Sequence, residues 1–355
     1  MTRMLQDILA EPDELLRCLD YTLGEGYDTL EQAVDLIASG GELIITGIGG
    51  SWHAGMALLS LFRRVGAPAT LVDASELLHF GEVPDDATVL VLSRSGKSIE
   101  VVRLLENMTE GASLVSITNT PDSPLAQASD VTLNLNAAFD HNVSITMYSA
   151  LTLVGGILAC GVMDEMTEDL TRDIERSLNE TRDRMDTWQK KIEASDWFAA
   201  DPRSPTAGAG SLPTYFLGRG GSVATAHAGR LLWEEAAKTS ATALTTGGFR
   251  HGPQEVLKEG TRIGLWFDGE ILREEDLLLT AELRKHGAKV MAVGQNLPDD
   301  AADLVLSLPD IPAPMQFVTD VIPVQLAAER LARLRGVDPD TFRICSYIVE
   351  SETGL

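Results

Sequence analysis

Short blocks of apolar residues recur along this chain, each running into glycine, serine or another turn former, with stretches of helical spacing between them. The blocks near 42–48, 69–73, 88–92, 113–118 and 131–136 are continuous rather than alternating. That pattern predicts strands covered on both faces, and hence parallel pairing with helical crossovers. Residues 1–40 have the helical period instead, first at Leu5, Ile8, Leu9, Leu15, Leu16 and Leu19, then at Leu30, Ala33, Leu36 and Ile37. Val143–Met163 is apolar all round, contains Gly155 and Gly156, and predicts a helix in a core or an interface. Asp164–Ile192 predicts a charged connecting helix, and Ala199–Leu212, rich in Pro, Gly and Ser, a linker. A second apolar series follows to about residue 309, then a helix near 314–335 and an irregular tail.

The second series repeats the first. Leu43-Ile-Ile-Thr-Gly-Ile-Gly-Gly-Ser51 and Thr214-Tyr-Phe-Leu-Gly-Arg-Gly-Gly-Ser222 both run from a strand through Gly-x-Gly-Gly-Ser into a helix. Thr88–Leu92 pairs with Thr261–Leu265, Ala112–Ile117 with Ala288–Val293, and Asp130-Val-Thr-Leu with Asp303-Leu-Val-Leu. A nearly constant offset over four strands predicts two copies of one α/β unit. The expected division is an N-terminal helical segment (1–40), a first α/β domain with its connecting helices (41–198), the linker (199–212) and a second α/β domain with its tail (213–355).

At 355 residues and 44% hydrophobic content the chain can bury two cores. Its 28 basic and 53 acidic residues leave a net charge of −25, which argues against nucleic acid and anionic membranes as partners. Cys18, Cys160 and Cys345 have no metal or disulfide spacing, which fits a reducing compartment. The N-terminus lacks a signal-peptide core and no stretch suits a membrane span, so a cytoplasmic, soluble protein is expected. No metal or organic cofactor is implied, because no ligand cluster is present.

Three places carry chemistry. The strand at 88–92 leads through Ser93-Arg-Ser-Gly-Lys-Ser98 into a helix, where hydroxyls, backbone amides and the helix dipole favour an anion. Arg94 and Lys97 supply charge there, although a serine at that place also suits an ordinary helix cap. The second copy has Trp266-Phe-Asp-Gly-Glu270 instead, apolar and acidic. Gly47–Ser51 with Asp73 beyond the next strand imitates a dinucleotide fingerprint, but Trp52 fills the third glycine position. Trp233–Pro253 holds Glu234, Glu235, Gly247-Gly248 and His251-Gly-Pro, a carboxylate and an imidazole suited to moving protons around a sugar.

These motifs together resemble the sugar isomerase (SIS) domain proteins, as in the isomerase half of glucosamine-6-phosphate synthase, phosphosugar deaminases and fructosamine-phosphate deglycases. The resemblance runs from about residue 40 to 350. It implies two tandem SIS domains, each a mostly parallel five-stranded sheet in a three-layer α-β-α sandwich, in a homodimer with the site at an interdomain and intersubunit crevice. It further implies that Ser93, Ser95 and Ser98 hold a sugar phosphate, with Arg94 and Lys97 beside them and Gly49, Gly50 and Ser51 lining the site. Val143, Ser144 and Thr146 belong to the implied loop Asp140–Thr146 that closes over the sugar. Glu235 is the implied proton carrier between C1 and C2, and His251, often given by the neighbouring subunit, opens the ring or protonates a leaving group.

Two departures narrow this. The chain has Thr2 and about forty residues before its first strand, so ammonia from glutamine is not expected to be its nitrogen source. Cys345 stands where the synthase has an imine-forming lysine, and a thiol forms no imine. The expectation is therefore a deglycase or deaminase acting on a 6-phosphorylated amino sugar or sugar–amine conjugate. The alternatives are an aldose–ketose phosphosugar isomerase and a non-catalytic phosphosugar sensor.

Overall fold

The computed structural model describes residues 1–199 and 213–351. Most of the expected linker, residues 200–212, lies outside them. Helices α1 (Arg3–Leu23) and α2 (Tyr27–Ser39) precede a first series: β1 (Leu43–Gly47), α3 (Gly50–Arg64), β2 (Ala69–Asp73), α4 (Ala74–Phe80), β3 (Thr88–Leu92), α5 (Ile99–Glu106), β4 (Ser113–Thr118), α6 (Pro124–Ala128), β5 (Val131–Asn134) and α7 (Thr146–Val162). The long α8 (Glu168–Ala194) leads to a second series: β6 (Thr214–Gly218), α9 (Ser222–Glu235), β7 (Thr242–Thr245), α10 (Thr246–Arg250), β8 (Arg262–Trp266), α11 (Arg273–Lys285), β9 (Lys289–Gln295), β10 (Leu304–Leu308) and α12 (Ile322–Arg335).

The chain packs as two compact units. One holds Asp13–Asp140, Ser144–Glu175 and Phe342–Leu355, the other Met1–Pro12, His141–Val143 and Arg176–Thr341. The tail after residue 341 thus belongs with the first sheet.

Both sheets are five-stranded and wholly parallel, with the same order: β2-β1-β3-β4-β5 in one and β7-β6-β8-β9-β10 in the other. The duplication extends to single bonds. Asp130 accepts from the Leu114 amide at 2.8 Å, and Asp303 accepts from the Val290 amide at 2.8 Å. Each carboxylate precedes the edge strand and pins the strand beside it, which is why Asp recurs at that place.

In the first unit Ala74 and Leu77 of α4, Val101 and Leu104 of α5 and Leu125 of α6 pack with Ile44, Val89, Val91 and Leu114 of the strands. Burying such side chains contributes roughly 1.5–3 kcal/mol each. On the other face, α7 lies against α3 and α2. A Cβ on Gly155 of α7 would come within 2.7 Å of Leu58, so only glycine allows this approach. Thr146–Cys160 is buried throughout, so α7 is a core helix of its own unit and has no face left for an interface. Among the described residues no helix is long and apolar enough to cross a membrane.

In the second unit Trp233 and Trp266 stack edge-on against Phe216, with ring centroids 4.8 and 5.7 Å away. Cys18 and Cys160 are buried, and burial pushes their thiols up to about 12 and about 11. Neither is a nucleophile. Cys345 is exposed.

Candidate functional site

In a doubly wound sheet the chain leaves β1 toward one face and β3 toward the other, so a crevice opens outside the carboxyl ends of these two adjacent strands. The loop after β1 (Gly47–Gly50) and the loop after β3 (Ser93–Ser98) are the two lips of that crevice. The strand ends from which they leave are close: a Cβ on Gly47 would meet the Leu92 carbonyl at 2.9 Å. Gly49, at φ +57°, is exposed, and Gly50 and Ser51 are half-buried at the start of α3.

The serine loop is built by its own hydroxyls. Ser93 Oγ accepts from the Gly96 amide at 3.0 Å, and Ser95 Oγ accepts from the Lys97 amide at 3.2 Å. A hydroxyl that accepts from the backbone retains its proton to donate, which is what an anion requires. Gly96 is held at φ +61°, and a Cβ there would come within 2.2 Å of Ser123 Oγ. Ser98 sits at the cap position of α5, yet its side chain makes no capping bond. An ordinary serine cap is therefore not its role here. Lys97 is exposed, while Arg94 is half-buried with its guanidinium over the ring of Tyr347. Asp73 accepts from the Ser75 amide at 2.9 Å and so caps α4, a structural role for this carboxylate.

The segment from Asp140 to Thr146 is ordered by Asp140. Its two buried oxygens accept from the amides of Ile145, Thr146 and Met147 at 3.0, 2.8 and 3.0 Å, at the positive end of α7. Ser144 is half-buried, while Val143 and Thr146 are buried. Asn119, beyond β4, donates to the Ala137 carbonyl at 2.8 Å and accepts from its amide at 3.1 Å, holding the start of the same loop.

The second unit carries the other two residues. Glu235 is the last residue of α9 and half-buried. Arg230 pairs with the adjacent Glu234 at 2.6 Å. Lys238 bonds the Glu235 carbonyl and reaches the Thr341 carbonyl at 2.7 Å, which fixes the end of the helix. Gly247 and Gly248 lie in the one-turn α10, capped by Thr245 Oγ1 accepting from the Gly248 amide at 2.9 Å. His251 follows, exposed. Pro253 opens a single 3₁₀ turn (Pro253–Val256), preceded by Gly252 at φ +124°.

The second copy's crevice is closed by carboxylates. Ser222, the counterpart of Ser51, donates to buried Asp320 at 2.6 Å, and Thr225 donates to its other oxygen at 2.5 Å. Asp268 accepts from the amides of Ile271 and Leu272, where the first copy has its serine loop. Buried Asp276 accepts from the Asp268 amide at 3.1 Å and pairs with Arg219 at 2.9 Å. The hydroxyl that matches Ser51 is thus committed to a buried carboxylate, and the place of the serine loop is taken by a loop tied to Asp268 and Asp276.

Residues 36–156, covering the first sheet with both lips of its crevice, match the SIS domain family. The chain carries a SIS domain. A glutamine–fructose-6-phosphate aminotransferase (isomerizing) of Sulfolobus acidocaldarius is 26% identical over 352 residues, covering 98% of this chain and 56% of that protein. The chain thus spans about half the length of the curated relatives it matches, and corresponds to their isomerase half. Among solved structures, the C-terminal domain of glucosamine-fructose-6-phosphate aminotransferase from Francisella tularensis superposes with a TM-score of 0.80 at 22% identity, over 96% of this chain and 98% of that one. Tagatose-6-phosphate ketose/aldose isomerase from Escherichia coli gives 0.78 at 20%, over 97% and 96%. Glucosamine-6-phosphate deaminase from Thermotoga maritima gives 0.72 at 20%, over 95% and 99%. These likenesses show that the fold of those proteins extends over nearly the whole chain.

Sequence reasoning missed Tyr347, Asn119 and the capping role of Asp140. Only Asp140 carried a signal, an acidic residue ahead of a long helix. Its five- to seven-residue reach to the amides it holds hides that signal from cap spacing.

Proposed function

We propose that this SIS protein is an enzyme that processes a phosphosugar, removing an amine from a 6-phosphorylated amino sugar or sugar–amine conjugate. The observation that carries the reading is the pair of loops at the β1/β3 switch point, one built of hydroxyls with protons to donate, whereas the matching hydroxyl of the second copy is spent on a buried carboxylate. The names of its relatives, aminotransferase, ketose/aldose isomerase and deaminase, agree with phosphosugar chemistry.

In this reading Ser93, Ser95 and Ser98 hold the phosphate, and Ser51 with Gly49 and Gly50 lines the sugar's path. Glu235 takes the proton from the carbon beside the carbonyl or imine and returns it to the neighbouring carbon, which places a C=N double bond at the nitrogen-bearing carbon. Water adds to that carbon, and His251 protonates the nitrogen as the C–N bond breaks and a carbonyl is left. Each transfer is typically worth ~10²–10⁴-fold in rate. The substrate brings its own nitrogen, so Cys345 in the place of an imine-forming lysine is no obstacle.

The test is amine release from glucosamine-6-phosphate, galactosamine-6-phosphate, fructoselysine-6-phosphate and glucoselysine-6-phosphate, followed by mass spectrometry. Release from one of them is expected, and Glu235→Gln should abolish turnover while binding of the phosphosugar persists. Undiminished turnover in that variant would remove Glu235 from the mechanism. Interconversion of aldose and ketose phosphates without amine release would establish the isomerase reading, which the same residues and the ketose/aldose isomerase likeness favour. Binding without any turnover would establish a sensor.

A further inference from the structure

Tyr347, in the tail that packs with the first sheet, joins the two loops assigned to the sugar. Its ring carries the guanidinium of Arg94, with Cζ 4.0 Å from the ring centroid. Arg94 Nη2 donates to the Tyr347 carbonyl at 2.6 Å, and the Tyr347 hydroxyl donates to the Asp140 carbonyl at 3.2 Å. Two residues further on, the Val349 carbonyl accepts from the Ile99 amide at 3.0 Å. That amide is the first donor of α5, one of those a helix presents to an anion. The tail thus occupies the first of these donors, and the loop's half-buried cation is engaged by the tail as well.

We propose that Arg94 and Tyr347 form a latch that sets the shape of the serine loop, making Arg94 a positioning residue and not a phosphate ligand. A guanidinium has five donors on a rigid plane. Here one face is covered by an aromatic ring and one nitrogen is bonded to the carbonyl of that same residue, so both interactions orient it toward the tail. The proposal rests on the serine loop being the phosphate site, and it reassigns one residue of that site.

The experiment is a double-mutant cycle on fructose 6-phosphate and inorganic phosphate binding, read by calorimetry at two ionic strengths, with Arg94→Gln, Tyr347→Ala, the double variant and Tyr347→Phe. Each of the first two is expected to weaken fructose 6-phosphate roughly tenfold, the loss of a well-placed bond, and the double variant no more than either. Tyr347→Phe keeps the ring and the carbonyl and should retain most of the affinity. The slope of affinity against salt should be unchanged in Arg94→Gln, because no charge–charge contact with phosphate is lost. The proposal is overturned if Arg94→Gln costs as much in the Tyr347→Ala background as in the wild type, with a shallower salt slope, since Arg94 would then touch the phosphate directly. Amide exchange at Ile99 without ligand gives a second, independent reading: faster exchange in Arg94→Gln and Tyr347→Ala supports the latch, and unchanged exchange refutes it. If the wild type binds neither probe, the phosphosugar reading fails, and the Ile99 exchange alone decides the latch.

Discussion

Ser51 and Ser222 hold matching places in the two copies, yet Ser222 gives its proton to a carboxylate sealed inside the unit. Burial raises the Asp320 carboxyl to about 7, against the hydrogen bonds from Ser222, Thr225 and Gln316 that lower it. Its folded value therefore lies above its unfolded one. The stability this group contributes is present in full below about pH 4 and is lost as the pH rises through about 7. Denaturant unfolding at a series of pH values should show the wild type losing up to about 4 kcal/mol relative to Asp320→Asn between pH 4 and 7. A constant difference between the two proteins across that range would mean the carboxyl titrates as an exposed one. No residue pattern announced this: Asp320 is 98 positions from Ser222, and nothing local marks an aspartate as buried.

At the level of elements, the strands and their duplication were readable because a parallel strand covered on both faces leaves a continuous apolar block. The serine loop was readable as well, since its hydroxyls and glycine fall within six residues. What escaped were contacts made across the chain. The Arg94–Tyr347 bond spans 253 positions and the Tyr347–Asp140 bond 207, and no periodicity carries such pairs. The apolar 143–163 stretch left core and interface equally open; Gly155 against Leu58 decides for the core. The start of that helix gives a further expectation. Asp140→Ala would leave three buried amides of α7 without an acceptor. It should destabilise the protein by about 2 kcal/mol or more, read as a shift in the denaturation midpoint, with Asp140→Asn recovering part through its carbonyl. An unchanged midpoint would mean the loop finds other acceptors.

For the whole molecule we propose a homodimer in which each copy gives His251 to the other's site. The exposure of His251 supports this, while α7, spent in the core, no longer does. Light scattering at micromolar concentration should return twice the chain mass. Mixing Glu235→Gln with His251→Asn protein should restore part of the activity that each lacks alone. A monomeric mass would remove the shared-site arrangement, and Glu235 and His251 would then have to serve the same chain.

The unit built on the first sheet does not follow the order of the chain. Its serine loop comes early, but the residues that hold that loop, Tyr347 and Val349, come after the whole second sheet. During synthesis the early sheet can collapse on its own apolar strands, and its anion site must then wait for more than two hundred further residues before the Arg94 guanidinium finds its ring. On the reading proposed above, competence for phosphate is a late event in the life of the molecule, reached by closing a very long loop whose entropic cost grows only slowly with its length. A nascent chain halted before that closure would hold a folded sheet and an unfinished site.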